Sequence, residues 1–251
     1  IVELKSDRVS ALTEENAISS FIQSLKVDFP ASEDMSAEAR KIYCQTKFHK
    51  EGGDLRRILK KPDNILLEWT EEEYKLFKAL EHARYGDLVS KGFSSVDEFV
   101  SLANQVLNRR KSRAGKSLEH HLSAIFDANK IRYTAQGVTE GNKKPDFVFP
   151  SIDDYHNMLF SVDGLCTLAA KTTCKDRWRQ VLNEADRLRD RNKYLCTLQQ
   201  GISSSQLKEM HAEKVVLVVP GPYLKYYPNE YKDKIWKLSK FVDHVRELEG
   251  L

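Results

Sequence analysis

The chain has 251 residues, of which 41% are hydrophobic and 31% are charged. This balance is typical of a globular protein with a buried core, and it excludes a disordered chain, a collagen and a low-complexity scaffold. The 40 Lys and Arg residues nearly cancel the 37 Asp and Glu residues, so the formal net charge of +3 does not by itself indicate a polyanionic partner.

Cellular location is predicted from what the chain lacks. The longest apolar run, residues 215–220, is too short to cross a membrane, so we expect no membrane partner. Four scattered cysteines do not match a secreted disulfide scaffold. We therefore expect a soluble, cytoplasmic chain. Because it begins at Ile1 rather than Met, we also expect a piece of a longer protein.

The first hundred residues are predicted to be mainly helices joined by polar loops. Apolar residues recur at helical spacing over 11–27, and Phe29-Pro30 predicts the end of that helix. Residues 50–54, with two consecutive glycines, predict a loop.

Two capping boxes predict helix starts further along. Thr70 is followed three residues later by Glu73, which predicts a helix over 70–84, and Ser95 with Glu98 repeats the pattern. Apolar spacing predicts a further helix over 117–129.

After residue 130, short β-prone segments alternate with helices. The predicted strands lie at residues 131–134, 147–149, 165–172, 194–198 and 215–219. The predicted helices lie at residues 175–191, 204–212 and 234–248. This alternation indicates an α/β fold with a mixed sheet flanked by helices. No linker is visible, so we predict one domain over 1–251, with a mainly helical subregion over about 1–100 and the core over about 101–251.

Positive charge is concentrated in two segments. Residues 104–118 contain five basic residues and no acid, and residues 171–193 contain eight basic and four acidic residues. Such local fields attract phosphate groups. A solvated charged face is the alternative interpretation of each segment.

Three charged residues are predicted to meet at one edge of the sheet. Asp146 lies at the edge of one strand, Lys171 ends or nearly ends the next, and Glu184 lies on the helix that follows. Two carboxylates could hold magnesium (Mg²⁺), which binds a few protein oxygens together with water and phosphate oxygens. A lysine beside them could position water against a phosphodiester. The alternative is a turn aspartate and two solvated surface charges.

The same residues carry a resemblance to a known family. Pro145-Asp146 followed by Lys171 and, thirteen residues later, Glu184 resembles the active site of a variant subgroup of the PD-(D/E)XK restriction endonucleases. The usual motif has an acid two residues before the lysine, where this chain has Ala169. In the variant, an acid on the next helix supplies the second carboxylate, which matches Glu184.

Two further segments extend the resemblance. Residues 175–179 are similar to the charged cluster with which this subgroup reads G·C pairs, and we interpret Trp178 within it as a packing residue. Residues 113–119 resemble the subgroup's N-terminal motif, which makes Glu119 an additional acidic residue near the site.

The resemblance implies a restriction-endonuclease-like fold and a type II enzyme. Such an enzyme is a Mg²⁺-dependent homodimer that cuts double-stranded DNA at 5′-CCWGG (W being A or T) and leaves 5′ overhangs. It implies that Asp146 and Glu184 bind metal and that Lys171 and Glu119 join them as catalytic residues. The implied DNA-binding residues are Lys175, Asp176, Arg177, Arg179, Arg113, Lys116 and Arg109.

Two other classes of protein stay open. A DNA-binding module that no longer cuts would keep the base-reading cluster, and a repair nuclease would read DNA structure rather than sequence. The intact triple of Asp146, Lys171 and Glu184 favours an enzyme. The cluster at 175–177 favours a reader of sequence.

Overall fold

A computed structural model describes residues 2–47 and 53–251, with side chains described for 13–47 and 55–251. Its first half contains the helices α1 (Val2–Ser24), α2 (Ser32–Lys47), α3 (Gly53–Lys60), α4 (Pro62–Lys91) and α5 (Val96–Ala128). Within these described ranges, no helix is both long and apolar enough to span a bilayer.

Helices α1 and α2 only partly match the sequence prediction. The helix predicted over 11–27 is part of α1, which ends at Ser24. Helix α2 was not predicted, although Met35, Ala39 and Ile42 recur at helical spacing and are buried in it. Of the loop predicted over 50–54, residues 50–52 lie outside the described residues and the last two belong to α3.

The two capping boxes have different outcomes. The predicted start at Thr70 is wrong, because α4 runs through it and begins instead at Pro62, whose fixed φ suits the first helical position. The second is confirmed: the Ser95 hydroxyl accepts a hydrogen bond from the Glu98 N–H at 3.1 Å as α5 begins. The helix predicted over 117–129 is the final part of α5 rather than a separate element.

Six strands form one mixed sheet whose order follows the chain. They are β1 (Thr134–Ala135), β2 (Phe147–Phe149), β3 (Cys166–Lys171), β4 (Lys193–Thr197), β5 (Val215–Val219) and β6 (Trp236–Lys237). Strands β1 to β3 pair antiparallel, and β3 to β6 pair parallel. Helices follow the strands, at α6 (Ile152–His156), α7 (Trp178–Val181), α8 (Ser204–Ala212) and α9 (Leu238–Glu249). The predicted α/β fold with a mixed sheet is confirmed.

The long helix predicted over 175–191 is wrong. Two short 3-10 turns flank helix α7, at Lys175–Arg177 and Asp186–Leu188. Trp178 and Val181 pack into one apolar cluster, whereas Ala185 and Leu188 pack into another. The apolar residues whose spacing predicts one helix therefore pack into two separate cores, and the backbone bends between them.

The chain divides into two compact units. The helical unit comprises the described residues of Ile1–Arg57 together with Leu67–His121, and the sheet unit comprises Ile58–Leu66 together with Leu122–Leu251. The core of the helical unit includes Met35, Ala39, Ile42, Leu76, Phe77 and Leu80. The prediction of one domain, with a helical subregion to about residue 100, stays a prediction.

Candidate active site

Asp146 lies where β2 begins, beside the end of β3. The two strands run antiparallel, so the start of one is next to the end of the other. Oxygen Oδ2 of Asp146 accepts a hydrogen bond from the Ala170 N–H at 2.7 Å and another from Nζ of Lys171, also at 2.7 Å. The structure therefore brings Asp146 and Lys171 together, as the sequence predicts.

Gln136, which no motif in the sequence indicates, holds the other oxygen of this carboxylate. Its Nε2 donates to Oδ1 of Asp146 at 3.0 Å, and its backbone N–H donates to the Asp146 carbonyl at 3.1 Å. The three side-chain contacts of Asp146 occupy three of the roughly four lone-pair positions of a carboxylate. The carboxylate is therefore fixed in orientation and can still accept one more partner.

Glu184 lies in a bend after α7, not on a helix as predicted. Its side chain is partly buried, and burial raises its pKa to about 7. The ammonium groups of Lys171 and Lys143 oppose this rise, and the charge of Asp146 adds to it. Glu184 is therefore close enough to both of the other predicted active-site residues to interact with them electrostatically.

Residues distant in sequence hold the bend that carries Glu184. The Thr139 hydroxyl donates to the Glu184 carbonyl. The Glu140 carboxylate accepts hydrogen bonds from the Asp186 N–H at 3.2 Å and from the Tyr155 hydroxyl at 2.7 Å. These contacts join segments up to 46 residues apart, so no local pattern in the sequence indicates them.

The donor set fits a hard divalent cation. Among the described residues, no group of three or more His, Cys, Asp or Glu side chains could hold a metal ion. A cation held by Asp146 and Glu184 would therefore take its other ligands from water and phosphate, as Mg²⁺ does. Burial raises the pKa of Glu184 because it disfavours the charged carboxylate, and the charge of Asp146 adds to this rise. A bound cation would oppose both effects by favouring the charged form.

The segment predicted to read base pairs begins four residues after Lys171. Its residues Lys175, Asp176 and Arg177 form a 3-10 turn and are exposed. We call these three residues the recognition segment. Their donors and acceptor face solvent, as contact with base edges requires.

The two residues after the recognition segment differ in exposure. Trp178 is 1% exposed and lies in an apolar cluster, which confirms its interpretation as a packing residue. Arg179 is exposed, lies 4.7 Å from the centre of the Trp178 ring, and donates to Glu209 at 2.7 Å. Its role in DNA binding stays a prediction.

In the helical unit, the motif that begins at Arg113 is built around a buried carboxylate. Glu73 is fully buried and accepts hydrogen bonds from Arg113 at 2.8 Å, Ser117 at 2.8 Å and Ser36 at 2.6 Å. The ring of His121, also fully buried, lies 3.0 Å from it. The guanidinium of Arg113 thus has a structural partner, and its predicted contact with DNA stays a prediction.

The other predicted residues of the helical unit also have partners. Arg109 lies 3.8 Å from the centre of the Phe29 ring and donates to the Tyr85 hydroxyl. Lys116 pairs with Glu119 at 2.9 Å on α5. The catalytic role of Glu119 and the DNA contacts of Arg109 and Lys116 stay predictions.

Comparisons with known proteins match most of the chain. A family model described as EcoRII C terminal matches residues 77–242. The type II restriction enzyme EcoRII of Escherichia coli is 50% identical over 191 residues, which cover 76% of this chain and 46% of that protein. The type II restriction enzyme SsoII of Shigella sonnei is 29% identical over 117 residues, covering 43% and 37%. The chain thus spans about half the length, or less, of these curated relatives.

Solved structures of restriction endonucleases share the fold. Metal-depleted Ecl18kI in complex with uncleaved, modified DNA aligns with a TM-score of 0.71 and 20% identity, covering 94% of this chain and 83% of that one. A complex of the restriction endonuclease PspGI with substrate DNA aligns with a TM-score of 0.69 and 18% identity, covering 88% and 94%. The predicted restriction-endonuclease-like fold is therefore confirmed.

Proposed function

The chain belongs to the EcoRII C-terminal family, and we propose that it is the catalytic domain of a type II restriction endonuclease. It hydrolyses phosphodiester bonds in double-stranded DNA, depends on Mg²⁺, and cuts at 5′-CCWGG to leave 5′ overhangs. One observation carries this proposal: Lys171 is joined to the Asp146 carboxylate at 2.7 Å, beside the partly buried Glu184.

Asp146 and Glu184 would hold the Mg²⁺ ion through carboxylate oxygens. When bound, the ion supplies positive charge that stabilises the negative charge developing on the phosphate. The hydrogen bonds from Gln136 and Ala170 keep the Asp146 carboxylate in one orientation before DNA arrives.

Lys171 acts on the attacking water. Asp146 holds its ammonium group at the end of β3, and the side chain is still 17% exposed to solvent. From there the ammonium donates a hydrogen bond to water and orients the water oxygen toward phosphorus. A new P–O bond forms to that oxygen while the bond to the leaving sugar oxygen breaks. The attacking water releases a proton to solvent, and the leaving oxygen takes up a proton from solvent.

The recognition segment supplies sequence specificity. Arg177 and Lys175 donate to the O6 and N7 acceptors of guanine, and Asp176 accepts from the N4 amine of cytosine. Arg179 contacts phosphate. Further DNA contacts come from positive charge in the helical unit, at Arg109, Arg113 and Lys116.

The active assembly is a homodimer in the cytoplasm, where its DNA substrate lies. CCWGG is symmetric apart from its central pair, and a two-fold dimer presents the same residues to each half of such a site. Each protomer then cuts one strand.

Cleavage of two matched plasmids tests the proposal. One plasmid carries a single CCWGG site and the other carries CCSGG (S being G or C) at the same place. With Mg²⁺, the first should be cut at that site with 5′ overhangs, as read by sequencing of the ends, and the second should stay intact. The variant Lys171→Met should leave both intact.

Other results would overturn the proposal. Specific binding without cleavage would indicate a DNA-binding module. Cleavage at branched or damaged DNA, regardless of sequence, would indicate a repair nuclease.

A further inference from the structure

Lys175, the first residue of the recognition segment, has an unusual backbone conformation. Its φ is +38°, in the left-handed region that residues with a Cβ atom rarely adopt. Such a conformation persists only where the surrounding structure fixes it. The contacts that fix Lys175 therefore also decide where the recognition segment points.

Gln199 contacts the N–H side of this residue. Its Oε1 accepts hydrogen bonds from the Cys174 N–H at 2.8 Å and the Lys175 N–H at 3.3 Å. Its Nε2 donates to the Gly201 carbonyl at 3.0 Å, so the amide oxygen can only face the recognition segment. The side chain thus joins the loop after β4 to the loop after β3.

Gln199 is itself held in place by its backbone. Its N–H donates to the Thr197 hydroxyl at 3.2 Å, and its carbonyl accepts from the Tyr227 hydroxyl at 2.6 Å. Because β3 and β4 are parallel neighbours, their following loops lie side by side. The sheet therefore gives Gln199 a fixed position next to the recognition segment.

Gln206 contacts the other side of Lys175. It lies in the first turn of α8, and its Nε2 donates to the Lys175 carbonyl. Both backbone polar groups of Lys175 are therefore bound by glutamine side chains, one from the loop after β4 and one from α8.

We propose that Gln199 and Gln206 are positioning residues for base recognition. They hold the backbone of Lys175 in its bound conformation before DNA arrives, so the donors and acceptor of the recognition segment already face the position of the G·C pair. This preorganisation lowers the conformational entropy that is lost when the specific complex forms. The two glutamines act through Lys175 and not on DNA. This inference rests on the proposed function, in which the recognition segment reads base pairs.

Substitutions that remove the amide test the proposal. Gln199→Met and Gln206→Met keep the side-chain length and lose the hydrogen bonds, whereas Gln199→Glu keeps an acceptor for the two N–H groups. Gln200→Met, at an exposed neighbouring position, is the matched control. For each variant, kcat/KM is measured on a CCWGG duplex and on one with a single G·C pair replaced by A·T, together with the thermal midpoint and the affinity for random DNA.

In both methionine variants, the ratio of kcat/KM on the CCWGG duplex to kcat/KM on the altered duplex should fall by about tenfold. This is near the low end of the discrimination that one bidentate base contact provides. Gln199→Glu should retain more of the ratio than Gln199→Met, and Gln200→Met should retain all of it. Affinity for random DNA should not change, since phosphate contacts are untouched.

A wild-type ratio in the methionine variants would overturn the proposal, and so would a loss confined to the thermal midpoint. If Gln199→Met fails to fold, Gln206→Met decides by the same ratio. A wild-type chain that shows no preference for CCWGG would instead overturn the proposed function, and this inference with it.

Discussion

Glu73→Gln should destabilise the protein at neutral pH and have little effect in acid. The Glu73 carboxylate is fully buried in the helical unit and is bound by Arg113, Ser36 and Ser117, with His121 3.0 Å away. A neutral amide in its place would bring donor hydrogens against a guanidinium that has only donors. Removing one partner of a buried ion pair leaves the other charge uncompensated, which is strongly destabilising.

The pKa of Glu73 gives the size of the effect. Burial alone would raise this pKa, but the nearby His121 ring and the hydrogen bonds from Ser36 and Ser117 lower it from 4.5 to about 2. That difference, converted at about 1.4 kcal/mol for each pKa unit, corresponds to about 3 kcal/mol of stability. Because the folded-state pKa is the lower one, this stability is fully present above about pH 4.5 and is lost as the pH falls toward 2.

Urea unfolding of wild type and variant between pH 7 and pH 3 measures this difference. The free energies of unfolding should differ by about 3 kcal/mol at pH 7 and converge as the pH falls. Burial lowers the pKa of His121 while Glu73 raises it, so the gap between the two curves reports on Glu73 together with the histidine that it contacts.

The neighbouring residue offers a matched control of opposite sign. Glu72 is also buried, and both burial and the charge of Glu14 raise its pKa. Glu72→Gln should therefore keep or increase stability at pH 7, since it removes a charge whose burial is unfavourable. Equal unfolding free energies for wild type and Glu73→Gln at pH 7 would refute the reasoning, as would equal losses from Glu73→Gln and Glu72→Gln.

Three further predictions concern DNA. Lys171→Ala should abolish cleavage but keep specific binding in Ca²⁺, measured by fluorescence anisotropy; a near-normal single-turnover rate would remove Lys171 from the mechanism. Arg177→Ala should cost about 1–3 kcal/mol of discrimination at one guanine. Lys116→Ala should instead weaken binding to all sequences and reduce by about 1 the slope of log binding constant against log salt concentration. If Arg177→Ala weakened binding to specific and random DNA equally, Arg177 would be assigned to a phosphate contact. In the proposed homodimer, the central pair of CCWGG would lie on the two-fold axis, so we expect its bases to leave the stack. The fluorescence of 2-aminopurine at the central position should increase on specific binding in Ca²⁺, and a quenched signal would show that the base stays stacked.

Local patterns in the sequence were enough to predict the frame of the site. The apolar segment after Pro145-Asp146 predicted β2, and the run ending near Lys171 predicted β3, because strand-forming residues are recognisable over a few positions. The capping box at Ser95 predicted the start of α5, because a capping motif also spans only a few residues. The spacing from Asp146 to Glu184 carried the resemblance to the restriction endonucleases, which the family match confirms.

The position of Glu184 required the tertiary structure. Its segment has the apolar spacing of a helix, but Trp178 and Leu188 belong to two different cores, and a continuous helix would not serve both. The bend is then held by Thr139, which lies 45 residues away. Helical propensity is a weak preference, and packing of this kind overrides it.

Several side chains that hold predicted functional residues in place could not be predicted from the sequence. Gln136 orients Asp146, Gln199 holds the backbone of Lys175, and Glu73 pairs with Arg113 across 40 residues. Glutamine and glutamate are common on surfaces, and nothing local distinguishes these from solvated ones. Their roles arise because folding buries a charge or a backbone group that must then find a partner, and only the tertiary structure decides which side chain is within reach.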